Sequence, residues 1–184
     1  MNIFFLDENP KIAAQMHFDK HVIKMILESA QLLCTAHRKI DGIEYIDTSS
    51  GRKIKRWKLQ NIELENILYK ATHVNHPTSI WVCENKQNYQ WTFKLFHYLI
   101  KEYSYRFNKE HKCKNLLKHL INSPKNTPNS FEKTIIPQVM EKQYIIPNNP
   151  VKGYQNLYKY GKKHLFKYTK RKQPNWLIHS SISS

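Results

Sequence analysis

The apolar run Ile3-Phe4-Phe5-Leu6 near the start of the chain reads as a short extended segment. Asp7-Glu8-Asn9-Pro10 then supplies a helix start, with Asn9 as N-cap and Pro10 at the first helical position. From there to about Arg38, Ile12, Met16, Ile23, Ile26, Ala30 and Leu33 recur at the helical period, and Val22 and Leu27 widen the stripe. The pattern predicts one long helix with one buried face. Asp41-Gly42, Ser49, Ser50 and Gly51 mark residues 41–53 as a turn-rich connection with room for a small hairpin. A helix is expected from the basic run 52–58 to Tyr69, followed by a break over Lys70 to Pro77. Thr78 or Ser79 then caps a second long helical region reaching about Asn108. A shorter helix over Glu110 to Ile121 precedes a loop holding Pro124, Pro128 and Pro137, and a final helix is expected over Val151 to Lys170.

These elements predict an all-α fold, a compact single-domain helical bundle with long irregular connections. No internal repeat or low-complexity linker divides the chain. The Pro-rich stretch at about 123–150 reads as an arm wrapped on the helices, and residues from about 151 to 184 as a basic C-terminal helix and tail. Aromatics crowd residues 81–107 at helical spacing, with Trp91, Leu95, Tyr98 and Glu102 on one line and Phe93, Phe96, Ile100, Tyr103 and Phe107 on another. Most of these belong to the core. Glu102 and Arg106 read as a helix ion pair.

Charge adds a partner to this picture. The 184 residues carry 30 Lys+Arg against 14 Asp+Glu, a formal net charge of +16, so a polyanion is the natural ligand. Abundant Lys, Asn, Ile and Tyr with only 4 Gly fit an AT-rich coding sequence, which favours Lys over Arg but does not explain the few acids. Apolar residues at 40% suffice for a core without disulfides. Cys34, Cys83 and Cys113 form no CxxC pair, so a reducing compartment fits. Residues 1–6 lack the basic flank and length of a signal peptide, and no apolar run reaches membrane-spanning length. The expected location is cytoplasmic, the host's cytoplasm if the protein is viral. The expected partner is nucleic acid, with double-stranded DNA favoured over RNA and no membrane; oligomeric state is left open.

Candidate chemistry concentrates on the first helix. On a continuous helix His17, His21, Lys24, Glu28 and Gln31 share one narrow polar stripe, with Lys20 at its edge. Such a face can hold a general base beside a phosphate-binding cation, or it can be a solvated face with an i,i+4 ion pair between Lys24 and Glu28. Asp19 falls in the middle of the apolar face and must have a partner, either backbone amides or an Arg of another helix, or else it lines a cleft. His17 with His21, and His73 with His76, are too sparse for a metal site, and neither metal nor cofactor is expected. His76 is expected near the first-helix stripe or in a plain N-terminal turn. Two basic segments complete the set: Arg52, Lys53, Lys55 and Arg56, then Lys159, Lys162, Lys163, Lys167, Lys170 and Arg171 interleaved with Tyr154, Tyr158, Tyr160, Phe166, Tyr168 and Trp176. These cations are expected to contact successive phosphates.

Met1-Asn2-Ile3-Phe4, Lys20-His21-Val22-Ile23-Lys24, Asn75-His76-Pro77, Glu102-Tyr103-Ser104-Tyr105-Arg106-Phe107 and Tyr158-Lys159-Tyr160-Gly161-Lys162 together resemble the small helical pyrimidine-dimer DNA glycosylases of the T4 endonuclease V type. In detail the pattern is closer still to a group of uncharacterised phage proteins with the same Asp-Lys-His helix. The resemblance implies attack by an N-terminal amine on the sugar C1′ of a damaged nucleotide, an imine that permits strand cleavage, and a helix glutamate that assists. By position Lys20 and Lys24 match the family's basic pair, and His21 stands where its glutamate belongs. Asn2 is larger than the residues after which an initiator methionine is efficiently removed.

The resulting expectation is a DNA-acting protein: a base-excision glycosylase/lyase or a base-modifying relative. Lys20 and Lys24 would hold phosphate and His21 would transfer the proton. Asp19 or Glu28 would orient His21, with His17 and His76 nearby. A non-catalytic DNA-binding protein and a nucleotide- or nucleic-acid-modifying transferase are the rival readings.

Overall fold

In a computed structural model, which describes residues 2–178, the chain is mostly helical with one small sheet. Met1 and residues 179–184 of the basic tail lie outside the described residues. The expected first helix is two helices, α1 (Pro10–Met16) and α2 (Asp19–Asp41). Asn9 caps α1 through hydrogen bonds from the Lys11 and Ile12 amides, with Pro10 at its first turn, as its sequence dictates. The helix stops at His17 because its last carbonyls find partners from elsewhere. Arg106 donates to the carbonyls of Gln15 and His17, and Tyr168 Oη donates to that of Met16. After the break, the Asp19 amide donates to the carbonyl of Lys167 rather than to a capping side chain.

That break resets the helical phase. In α2 the buried line is Val22, Met25, Ile26, Ala30 and Leu33, whereas Ile23 and Leu27, expected inside, are 45% and 43% exposed. Ile12 is exposed as well.

Gly42 closes α2, and the chain enters an antiparallel hairpin, β1 (Ile43–Asp47) and β2 (Ile54–Lys58), in which Ile43 faces Lys58 and Tyr45 faces Arg56. The fold is therefore not purely all-α. The helix expected from the basic run to Tyr69 shrinks to α3 (Ile62–Ile67), capped by Asn61. Buried Arg38 explains the change: its guanidinium donates to the carbonyls of Trp57, Glu65, Leu68 and Tyr69 and to Glu65 Oε2, so all of its N–H directions are used. These partners fix residues 57–69 against α2 in a shape that no continuous helix has.

The second long helix is likewise two, α4 (Pro77–Glu84) and α5 (Lys86–Phe107). His76, not Thr78 or Ser79, caps α4; those two residues are buried. Asn85 adopts an extended conformation and caps α5 through the Asn88 amide. The Lys86 amide donates to the carbonyl of Pro128, on the Pro-rich segment. That segment also receives hydrogen bonds from Trp81 Nε1 to the Thr134 carbonyl and from Gln87 to the Ser130 carbonyl, so it lies along α4 and α5. Between α5 and that segment, a short 3-10 helix and α6 (Leu117–Leu120) fill Lys112–Leu120.

The final long helix is not formed. It runs as α7 (Pro150–Asn156), passes through a π turn at Leu157–Gly161 and unwinds, and α8 (Asn175–Ile178) is one short turn. Helical propensity loses here to long-range pairing, since Lys167 and Thr169 bind the start of α2. One contiguous apolar cluster joins Ile3, Phe5 and Leu6 to α1, α2, α4, α5 and Tyr154–Tyr158. Among the described residues no helix is long and apolar enough to cross a membrane.

Candidate functional site

The buried Ile3-Phe4-Phe5-Leu6 segment threads the start of the chain into the core and presents Asn2 to the middle of α2. There the Asn2 amide donates to Glu28 Oε2 at 2.9 Å, while Lys24 Nζ lies 3.2 Å from Glu28 Oε1. The Asn2 side chain is clamped from three sides. Its amide nitrogen donates to the Val139 carbonyl, and its Oδ1 accepts from Tyr154 Oη at 3.1 Å and from the Ile3 amide at 2.9 Å. Thr78 Oγ1 sits 3.5 Å from the same oxygen. His76 caps α4 through Nδ1 at its N-terminus, and burial lowers its pKa while the nearby Glu28 charge opposes that shift. Four elements thus meet at Asn2: the chain start itself, α2 through Glu28, the head of α4 through Thr78, and the 139–154 segment through Val139 and Tyr154.

Of the expected catalytic residues, Glu28 and His76 belong to this centre, and the other three lie in the protein interior. His21 is buried, stacked on Phe18 at 3.9 Å between ring centroids, and its Nδ1 is 2.7 Å from Tyr158 Oη. Burial, with Lys24 and Lys162 beside it, lowers its pKa to about 2, so it is a neutral ring. His17, expected on the polar stripe, is fully buried at the C-cap of α1, two residues before α2 begins, with Nδ1 2.7 Å from the Ala13 carbonyl. Burial lowers its pKa to about 4, and its Nε2 has no hydrogen-bond partner among the described residues. The stripe reading fails for His17 because it assumed a continuous helix through residues 17 and 18, and for His21 because Phe4, Phe18 and Tyr158 cover that end of the α2 stripe.

Asp19 takes the structural role open to it. Its Oδ1 accepts from Arg106 Nη1 at 3.1 Å, and the Thr169 amide and hydroxyl complete its shell. Arg106 also bonds Glu102 at 3.0 Å, the helix pair expected from the sequence, and Glu102 in turn accepts from Arg171. The four charges alternate in sign, with Asp19, Arg106 and Glu102 buried and half-buried Arg171 at the end of the chain.

The basic residues divide by occupation. Lys20, Arg52, Lys53, Lys163 and Lys167 are exposed. Lys24 is exposed but engaged with Glu28, and Lys55 pairs with Glu44 across the hairpin. Arg56 lies 3.8 Å from Asp47. Lys159 lies over the Tyr160 ring, half-buried Lys162 is close enough to His21 for its charge to be felt there, and Lys170 binds the Tyr105 carbonyl and Asn108. Arg171 is committed to Glu102 and lies over Tyr105.

Sequence reasoning missed Asn2, Thr78 and Tyr154 as parts of the centre and Arg38 as an anchor. The contact between Asn2 and Tyr154 spans 152 positions, a distance no periodicity reports. Among the described residues no group of three or more His, Cys, Asp or Glu side chains is arranged to hold a metal ion. Comparison with protein-family models, curated proteins and solved structures returns no match for this chain.

Proposed function

We propose that this protein acts on duplex DNA and that its chemistry, of the base-excision type, is centred on Glu28. The observation that carries the reading is the 2.9 Å contact between the Asn2 nitrogen and the Glu28 carboxylate, flanked by Lys24, in a chain of net charge +16. While Met1 precedes it, the Asn2 nitrogen is an amide and no nucleophile. Removal of Met1, a cleavage that the size of Asn2 slows, turns the same atom into an amine within hydrogen-bonding reach of a carboxylate. That amine would form a bond to C1′ of the nucleotide as the glycosidic C1′–N bond breaks, and the base leaves with a proton. The sugar ring then opens to an imine, and loss of a C2′ proton expels the 3′ phosphate.

In this reading Glu28 replaces His21 as the proton-transfer group, and Lys24 and Lys20 hold the flanking phosphates. The test incubates purified protein, its N-terminal residue determined by mass spectrometry, with an abasic duplex and borohydride. A covalent adduct on the residue-2 amine supports the lyase. Tight duplex binding without adduct, from protein beginning at Asn2, would overturn it.

A non-catalytic DNA-binding protein is the second reading. It is favoured by the use of Asp19, His17 and His21 in the core and by the engagement of Glu28 with Lys24.

A further inference from the structure

The hairpin that follows α2 carries a groove outside the Glu28 centre. It has a volume of about 630 Å³ and is lined by Ile43, Tyr45, Lys58, Gln60, Ile62 and Asn66. Ile43 and Tyr45 project from the same face of β1, two residues apart, opposite Lys58 and Arg56 of β2. Ile43, Tyr45 and Ile62 are 58%, 42% and 77% exposed, an apolar and aromatic floor open to water. Glu65 also borders the groove, but its carboxylate is taken by Arg38 at 2.6 Å and by the Leu59 amide at 2.8 Å.

We propose that this groove receives a single unpaired nucleotide of a bound nucleic acid, an inference that rests on the nucleic-acid reading above. The Tyr45 ring offers a stacking surface and Ile43 and Ile62 offer apolar walls. The side-chain amides of Gln60 and Asn66 present both donors and acceptors to a base edge. Lys58 stands at the rim for the phosphate, and Arg56, opposite Tyr45 in the register, adds positive charge on the same face of the hairpin. The volume falls in the range of small-ligand sites, which run from about 300 to 1,000 Å³. Charge complementarity selects this occupant over an apolar protein partner: the hairpin and its turn carry Arg52, Lys53, Lys55, Arg56 and Lys58 against Glu44 and Asp47. The groove lies about 20 Å along α2 from Glu28, at about 1.5 Å of rise per residue, a separation that roughly six base-pair steps of duplex span.

The experiment measures anisotropy of the full chain with two fluorescent duplexes, one fully paired and one with a single bulged thymidine. Wild-type protein is expected to prefer the bulged duplex by about ten-fold, the scale of one stacked base. Tyr45→Ala should abolish the preference while leaving affinity for the paired duplex within about two-fold, and Tyr45→Phe should retain it. Circular dichroism checks that each variant folds. Equal wild-type affinity for the two duplexes, or a preference unchanged in Tyr45→Ala, overturns the groove inference and leaves the DNA reading standing. Binding to neither duplex overturns both. A dimer in sedimentation that Ile62→Ser converts to monomer assigns the groove to a second copy and also overturns the inference.

Discussion

Asp19 and Arg106, 87 positions apart, are joined by a 3.1 Å charged hydrogen bond in the interior of the protein. Arg106 also satisfies the carbonyls that end α1, and Asp19 anchors Thr169 of the C-terminal segment. The pair therefore fixes three pieces of chain. Asp19→Asn should destabilise the fold by about 3–5 kcal/mol, because a buried guanidinium loses one of its two carboxylate partners. Urea denaturation measures the loss, and a change below 1 kcal/mol, roughly the worth of an exposed pair, would show the network to be dispensable.

Glu28→Gln preserves shape and removes charge. Adduct formation with abasic duplex should fall by about 100-fold or more, the scale of a lost proton-transfer group, with duplex affinity changed little. His21→Phe, by contrast, should act through stability alone, since the His21 ring is packed between Phe4 and Phe18. An adduct lost in a folded His21→Phe protein would return the proton-transfer role to that histidine.

Stability should fall on mild acidification. Burial lowers the pKa of His17 and His37 from 6.5 to about 4 and that of His21 to about 2. The unfolded chain thus takes up protons first. The stabilisation is fully present above pH 6.5 and is lost as pH falls from 6.5 toward 4, with a further contribution from His21 below that. The slope is about 1.4 kcal/mol per pH unit for each histidine protonated only in the unfolded state. Denaturation midpoints at pH 7.5 and pH 5 test this, and equal midpoints would contradict it.

Duplex affinity should depend steeply on salt. Contacts to about six phosphates give a slope of log K against log salt near −5. Lys163→Glu with Lys167→Glu, both exposed positions, should weaken binding and flatten the slope. A nearly flat slope for the wild type would remove the basis of the DNA reading.

Local signals in the sequence were legible where their partners lie within one helical turn. Asn9-Pro10 opens α1, and Glu102 pairs with Arg106 four residues on. Lys24 reaches Glu28 in the same way. Helix ends inside long apolar patterns were not legible. The breaks at His17 and Asn85 depend on Arg106 and Pro128, the helix from the basic run to Tyr69 is replaced by β2 and α3 around Arg38, and the unwinding after Gly161 depends on the start of α2.

By itself the sequence determined a basic, mostly helical protein with an aromatic core, because charge and apolar periodicity are properties of residues in order. Only the tertiary structure decided that His17 and His21 are core, that Asp19 is an anchor and that Glu28 meets Asn2. Each of these depends on which backbone and side-chain groups from distant segments satisfy a helix end or a buried charge. Hydrogen bonds across 26 to 152 positions make that choice, and no local pattern encodes them.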